Sequence, residues 1–190
     1  MSAPPTPSPV DQVFTPDLRV WGGEGIRVVR DFGSLATPSG ALLLGDPLEL
    51  ATAPRLPSGA GPIAVHLATV RMSGEHELAA VRVVLGPGEV RRWKKTRKVC
   101  AIDSATACLC DAGLGEALRD EAVRRRFTKR WERFAALSLS AQRASFGGQL
   151  VDLFHVCDDG RYPLWEGLDE GGHVAAVAVI WSRHGLDTAP

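Results

Sequence analysis

Cysteine and long apolar segments are both scarce in this sequence. Four cysteines in 190 residues are too few for a disulfide-stapled scaffold, so reduced thiols in a cytoplasm are the simplest expectation. No apolar run reaches the roughly 18 residues that a membrane-spanning helix needs. The opening residues, MSAPPTPSPVDQ, have neither the basic nor the apolar part of a signal peptide. We therefore expect a soluble, cytoplasmic protein with no membrane partner.

The common catalytic signatures are also missing. The chain has no glycine-rich phosphate loop ending in Lys-Ser/Thr, no dinucleotide fingerprint, no His-Glu-x-x-His and no Gly-x-Ser-x-Gly. Their absence disfavours the common cofactor enzymes. The sequence identifies no cofactor, and it does not indicate an oligomeric state.

The composition is that of an ordinary folded protein. Hydrophobic residues make up 45% and charged residues 23% of the chain, and the length fits one domain. Pro4, Pro5, Pro7 and Pro9 prevent the start from pairing in a sheet. We predict a flexible proline-rich tail over residues 1–12 and a single globular domain over residues 13–190.

Short strands dominate the predicted secondary structure. Segments rich in Val, Ile and Leu, bounded by Gly, Pro and Ser, lie at 26–32, 40–45, 62–71, 77–85, 149–156 and 174–181. The last is almost continuously apolar, as a central strand covered on both faces would be. One apolar stripe with helical spacing runs from Leu114 to Leu137. These patterns predict an α+β fold: a mostly antiparallel, twisted sheet or open barrel with one long amphipathic helix packed on it.

Charge is balanced overall but not along the chain. Residues 91–133 carry 13 basic and 6 acidic side chains, whereas the regions before and after them are acidic. The most basic part is 91–98, where alternation would place cations on both faces of a strand, so we predict an edge strand or a solvated loop. The residues of this segment that could bind a partner are Arg91, Arg92, Trp93, Lys94, Lys95 and Arg97.

Two interpretations of this basic segment remain open. The cations could bind an acidic protein or another polyanion, with Trp93 offering a stacking surface. They could also protect an exposed edge from pairing with another chain, which is the simpler explanation. The neutral net charge of the whole chain disfavours nucleic acid as the partner.

Carboxylates at turns and strand ends are the other candidate chemistry. Asp103 and Asp159 could act as catalytic acid and base, with His155 or Tyr162 assisting proton transfer. Asp46 and Asp111 could hold Mg²⁺ or Ca²⁺ if the fold gathers them. The alternative is that each aspartate caps a turn by accepting from nearby backbone. The run 158–160, Asp-Asp-Gly, further predicts a hairpin turn after the strand at 149–156.

The sequence also contains four residues that could together bind zinc: Cys108, Cys110, Cys157 and His155. The Cys-x-Cys spacing is narrower than the usual Cys-x-x-Cys knuckle, so buried free thiols are the preferred interpretation.

Several blocks in order resemble a known family. They are Thr37–Gly40, Gly45–Leu48, Pro57–Gly59, Ala79–Val83 with Trp93, Ile102–Asp111 and Asp159–Asp169. Together they resemble the domain-of-unknown-function 4241 family of bacterial proteins over about residues 33–181. Ser104, Ala107 and Asp158 replace glycines of that family's pattern. The family has no established activity, so the resemblance implies a fold and a set of motif residues but no reaction.

Two functions remain as hypotheses. The first is an intracellular non-catalytic binding or accessory protein, such as an immunity-like or pathway-partner domain, whose basic segment meets an acidic partner. The second is a small metal-assisted hydrolase or biosynthetic enzyme that uses clustered aspartates.

Overall fold

The computed structural model describes residues 7–20, 25–72, 75–137, 140–156 and 158–181. In chain order its elements are α1 Pro9–Val13, β1 Arg19–Val20, β2 Gly25–Thr37, β3 Ala41–Gly45, a 3₁₀ turn at Leu50–Thr52, β4 Arg55–Pro57, β5 Gly61–Met72, β6 Glu75–Val84, β7 Arg92–Ile102, β8 Thr106–Asp111, α2 Ala112–Ala117, α3 Glu121–Ala135, β9 Ala141–Phe146, β10 Gln149–His155, β11 Gly160–Leu168 and β12 Val174–Ile180.

The strands form two open antiparallel sheets. The order in sheet A is β1-β2-β5-β6-β12-β11-β7, and the order in sheet B is β4-β3-β8-β10-β9. Among the described residues neither sheet closes into a barrel, so of the two predicted arrangements the open sheet is the observed one, present twice. The predicted strands at 26–32, 40–45, 62–71, 77–85, 149–156 and 174–181 are confirmed.

The main core lies between the two sheets. Alternate residues of β5, β6 and β12 face alternate residues of β3, β8 and β10 there, including Val65, Val179, Leu44, Leu109 and Phe154. This arrangement is a β-sandwich, in which inward-facing side chains of both sheets interdigitate. β12 lies between β6 and β11, with Val177 in the main core and Ala178 on the opposite face. The prediction of a strand covered on both faces is therefore confirmed.

Helices cover the outer faces of both sheets. Leu114 of α2 and Phe127 and Phe134 of α3 pack on sheet B against Cys108, Cys110, Val151 and Leu153. One long helix over Leu114–Leu137 is not confirmed, because α2 ends at Ala117 and α3 begins at Glu121. The break follows from Asp120, whose carboxylate accepts from the Ala122 and Val123 amides as an N-cap.

The short helix α1 lies within the stretch that was expected to be a flexible tail. A capping box between Ser8 and Asp11 starts it. Val10 and Val13 are fully buried on the outer face of sheet A, over a floor of small residues, Ala68, Ala80 and Ala178. Buried Arg27 donates from Nη1 to the Val13 carbonyl at 2.7 Å. Burial of its valines therefore orders the chain from about Pro9 onward.

Connections that run from one sheet to the other lie in pairs, and the two connections of a pair contact each other. The 38–40 turn takes the chain from sheet A to sheet B, and the 58–60 turn takes it back. These turns bond directly, with the Ser58 amide donating to the Gly40 carbonyl at 3.0 Å. The β7–β8 turn and the β10–β11 turn form a second such pair. The prediction of a hairpin at Asp158–Gly160 is therefore wrong, because β10 and β11 belong to different sheets.

No helix within the described residues is both long enough and apolar enough to cross a membrane.

Candidate functional site

The basic segment forms the edge of sheet A. β7 pairs with β11 on one side and is the last strand of the sheet, which confirms the edge prediction. Four cationic side chains of this strand in particular are exposed. We call them the β7 cations: Arg92, Lys94, Lys95 and Arg97.

Ion pairing divides the basic segment into two groups. Arg91 pairs with Glu89 at 3.2 Å, and Lys98 pairs with Glu166 at 3.6 Å. The β7 cations make no ion pair with any residue that the structure describes. The segment therefore presents uncompensated positive charge along one strand.

A bulge interrupts β7 in the middle of this surface. Val99 lies opposite Pro163 and Lys95 opposite Trp165, so three residues of β7, 96–98, face one residue of β11. The Thr96 hydroxyl accepts from the Lys98 amide at 3.1 Å within the bulge. Bulges and lysines both discourage strand addition at an edge. The edge is thus unsuited to a partner that adds a strand, but its side chains remain accessible.

Trp93 has a different role from its neighbours. Its ring packs over Gly167, where a Cβ would lie 2.9 Å from the indole. Its Nε1 donates to the Asp11 carboxylate of α1 at 3.0 Å. The ring is half-buried in the cluster beneath α1, so this contact uses the surface that was expected to stack on a ligand. Sequence reasoning missed Asp11, although the Ser8-x-x-Asp11 spacing was an available signal.

The second group of candidates meets at the β7–β8 turn. Asp46 is buried, and its Oδ2 accepts from the Asp103 amide at 2.8 Å. Asp159 accepts from the Ala105 amide at 2.8 Å, and the Nδ1 of His155 lies 3.0 Å from the Ala105 carbonyl. Ala105 has a φ of 49°, a strained conformation for alanine that these bonds hold in place. Side chains of the predicted candidates therefore do meet at this turn, but they bond to its backbone and not to one another.

The remaining candidates are also engaged locally. Tyr162 donates from its hydroxyl to the Asp158 carbonyl at 2.7 Å. The other oxygen of Asp46 accepts from the Leu48 amide at 2.8 Å. For Asp46, Asp159 and Tyr162 these bonds are those of turn-stabilising side chains.

Asp111 lies apart from the other aspartates. Leu42 of β3 pairs with Asp111, and Asp46 is four residues further along the chain, or about 13 Å away in an extended strand. Metal–oxygen distances are about 2.0–2.6 Å, so Asp46 and Asp111, which were predicted as metal ligands, cannot share an ion. Within the described ranges no three His, Cys, Asp or Glu side chains form a group that could hold a metal.

No family model matches this chain, and neither a curated protein nor a solved structure matches it. The resemblance to the domain-of-unknown-function 4241 family stays a prediction. The function must therefore be argued from the geometry alone.

Asp111 caps α2 and also holds the first sheet-crossing turn. Its Oδ1 accepts from the Gly113 amide at 2.7 Å, and its Oδ2 accepts from the amide and the hydroxyl of Ser39 at 2.9 and 2.8 Å. Asp120 caps α3 with an exposed carboxylate, and among the described residues it accepts only from its own helix. The two residues form a matched pair for testing a structural role.

We expect Asp111→Ala to lower the free energy of unfolding by about 2–3 kcal/mol, because it removes a buried cap and leaves the Ser39 amide without its acceptor. Asp120→Ala should cost about 1 kcal/mol, since it removes an exposed cap alone. Urea denaturation of both variants measures the difference. Equal losses would mean that the Ser39 bonds contribute nothing.

A small cleft of about 230 Å³ opens beside Asp46. Glu49 and Arg161 contribute its charged groups. Its volume is below the range of about 300–1,000 Å³ that is usual for small-molecule sites, and the carboxylate of Asp46 is already bonded to backbone. The cleft therefore indicates no ligand.

The described cysteines are all buried. Burial raises the pKa of the Cys100 thiol to about 12 and also raises the pKa of Cys108 well above its usual value. Cys110 packs beside Cys108 under α3. Thiols held protonated are poor nucleophiles and poor metal ligands, which agrees with their interpretation as small apolar side chains. Cys157 lies outside the described residues.

Proposed function

We propose that this protein is a non-catalytic binding module that captures an acidic protein segment through the β7 cations. The observation that carries the proposal is the ion-pair pattern of the basic segment, in which the β7 cations lack acidic partners while Arg91 and Lys98 have them. Like charges along one strand repel each other, and an acidic partner would remove that repulsion. The rival enzyme hypothesis has less support, because Asp46, Asp111 and Asp159 accept from backbone.

The geometry favours contact through side chains. Trp93 and Lys95 share one face of β7, and Arg92 and Lys94 share the other, because alternate residues point to opposite sides. An extended acidic segment lying along the edge could reach cations on both faces. The bulge at 96–98 prevents such a segment from pairing through backbone bonds as a regular eighth strand of sheet A. Affinity would then come from charge and would weaken with salt.

The matched test compares free and paired cations of the same segment. We expect the double substitution Lys94→Ser with Lys95→Ser to weaken binding of fluorescein-labelled polyglutamate about 2- to 30-fold at low salt. That range follows from about 0.2–1 kcal/mol for each exposed pair. The control, Arg91→Ser with Lys98→Ser, removes the same charge from the same segment and should weaken binding less, because those cations already have partners.

Fluorescence anisotropy titrations measure the dissociation constant of each double variant for labelled polyglutamate. Equal weakening by the two double variants would mean that only overall charge matters and would refute the proposal. Failure of the unmodified protein to bind polyglutamate at low salt would refute it as well.

A further inference from the structure

A second cationic surface lies on α3, away from β7. The helix carries six basic and two acidic residues, and its apolar side is turned onto sheet B. On an exposed side, cations recur at positions i, i+3, i+4 and i+7, which lie along one side of a helix. We call this set the α3 stripe: Arg126, Lys129, Arg130 and Arg133.

No member of the α3 stripe forms an ion pair within the part of the chain that the structure describes, and all four are exposed. Elsewhere on the same helix Arg125 pairs with Glu121. Members of the stripe are neighbours at i, i+3 or i, i+4, so they repel one another and weaken the helix. The helix dipole favours cations only in the last turn, which contains Arg133 but not Arg126. A bound anion would offset this repulsion.

We infer that the α3 stripe binds the phosphate backbone of double-stranded DNA. At a rise of 1.5 Å per residue, the seven steps from Arg126 to Arg133 span about 10.5 Å. Phosphates of one strand recur about every 3.4 Å along the duplex axis. The stripe therefore spans about three intervals between phosphates, which corresponds to about four phosphates. Three of the four side chains are arginines, whose planar guanidinium binds phosphate in a bidentate manner.

An anionic membrane fits this surface less well. Phe127 and Phe134 of α3 are buried against sheet B, and Trp131 packs partly buried against the same cluster, so the apolar side of the helix is not available for insertion into lipid. The contact with DNA would be independent of sequence, because phosphate contacts carry no base information.

The test is the salt dependence of DNA binding by the full chain. With four phosphate contacts, the logarithm of the association constant should fall with the logarithm of salt concentration with a slope of about −3.6. Arg126→Gln with Arg130→Gln should make that slope shallower by about 1.8. Glutamine keeps a good helix propensity, so α3 should persist, and far-ultraviolet circular dichroism checks that it does.

Two double variants with the same charge change serve as controls. Arg124→Gln with Arg125→Gln alters α3 outside the stripe, and Lys94→Ser with Lys95→Ser alters the proposed β7 surface; each should change the slope by less than about 0.5. Fluorescence anisotropy of a labelled mixed-sequence duplex, titrated with each protein at salt concentrations between about 50 and 200 mM, measures the slope for every variant. A control that changes the slope as much as the stripe variant overturns the inference. Absence of duplex binding at the lowest salt would also overturn the inference. It would likewise be overturned if the stripe bound polyglutamate or anionic vesicles and not the duplex.

Discussion

Replacing Phe154 with alanine is expected to destabilise the protein by about 3–5 kcal/mol, the usual cost of deleting a large side chain from a packed core. Phe154 is fully buried between the two sheets. Its ring lies 6.0 Å from that of Phe32 and 5.8 Å from that of Trp181. Phe154 lies on β10 of sheet B, whereas Phe32 lies on β2 and Trp181 directly follows β12, both of sheet A. Because the ring fills the space between the sheets, its neighbours cannot collapse into the cavity without moving a sheet.

Leu150→Ala is the control on the same strand. Leu150 is 38% exposed, so its truncation should cost less than about 1 kcal/mol. Chemical denaturation followed by tryptophan fluorescence measures both variants. A loss for Phe154→Ala no larger than that for Leu150→Ala would contradict a shared core between the sheets.

The sequence predicted individual strands better than their assembly. The segment 174–181 was predicted as a central strand because continuous apolar residues are needed only where both faces are covered. It pairs with the neighbouring strand β11 on one side, but on the other side it pairs with β6, which is distant in sequence. The local sequence of a strand does not reveal which distant strand it pairs with. For the same reason one sheet was predicted where the chain forms two.

The turns show the same limit of prediction from local sequence. A hairpin turn was predicted at 158–160, since Asp and Gly favour turn conformations, and the chain does end a strand just before these residues, but it then passes to the other sheet. A turn within one sheet and a turn between two sheets use the same residue types. What distinguishes this one is the bond from the Ala105 amide to Asp159, which joins it to the β7–β8 turn. That partner lies 54 residues away.

The candidate aspartates were predicted in part. Their position at turns was right, and accepting from backbone is the behaviour that turn chemistry favours. The sequence could not establish that Asp46, Asp103 and Asp159 would meet at one turn, or that Asp111 would lie at the other end of β8. The basic segment was easier to interpret, because cations on both faces of a strand exclude burial and leave only an edge or a loop.

Breaking the ion pair between Arg143 and Asp152 should have the second large effect. Arg143 bonds both carboxylate oxygens of Asp152, at 2.6 and 2.8 Å. It also donates to the Ser34 carbonyl at 2.9 Å, and so joins sheet B to β2 of sheet A. Gly33 permits this approach: its φ is 94°, and a Cβ there would lie 2.8 Å from Nη1 of Arg143.

We expect Arg143→Met to cost about 3–5 kcal/mol near neutral pH, because it leaves the fully buried carboxylate of Asp152 without a counter-charge. The double variant Arg143→Met with Asp152→Leu should recover most of the loss, since it removes both charges and their desolvation cost. Urea denaturation of the single and double variants tests this coupling. A double variant as unstable as the single one would mean that the pair acts through shape and not through charge.

The pH dependence of Arg143→Met follows from the environment of Asp152. Burial raises the pKa of Asp152, and the hydrogen bonds and charge of Arg143 oppose that rise. With a raised pKa the folded state binds the proton more tightly than the unfolded state, so this residue's contribution to stability is greatest below the unfolded value of about 3.9. It is lost as pH increases through the folded value. Removing Arg143 should raise that pKa further, because only burial then acts on the carboxyl group. The stability gap between Arg143→Met and the unmodified protein should therefore narrow as pH is lowered from neutral toward 4, whereas a gap that stays constant would mean that Asp152 remains ionised without its partner.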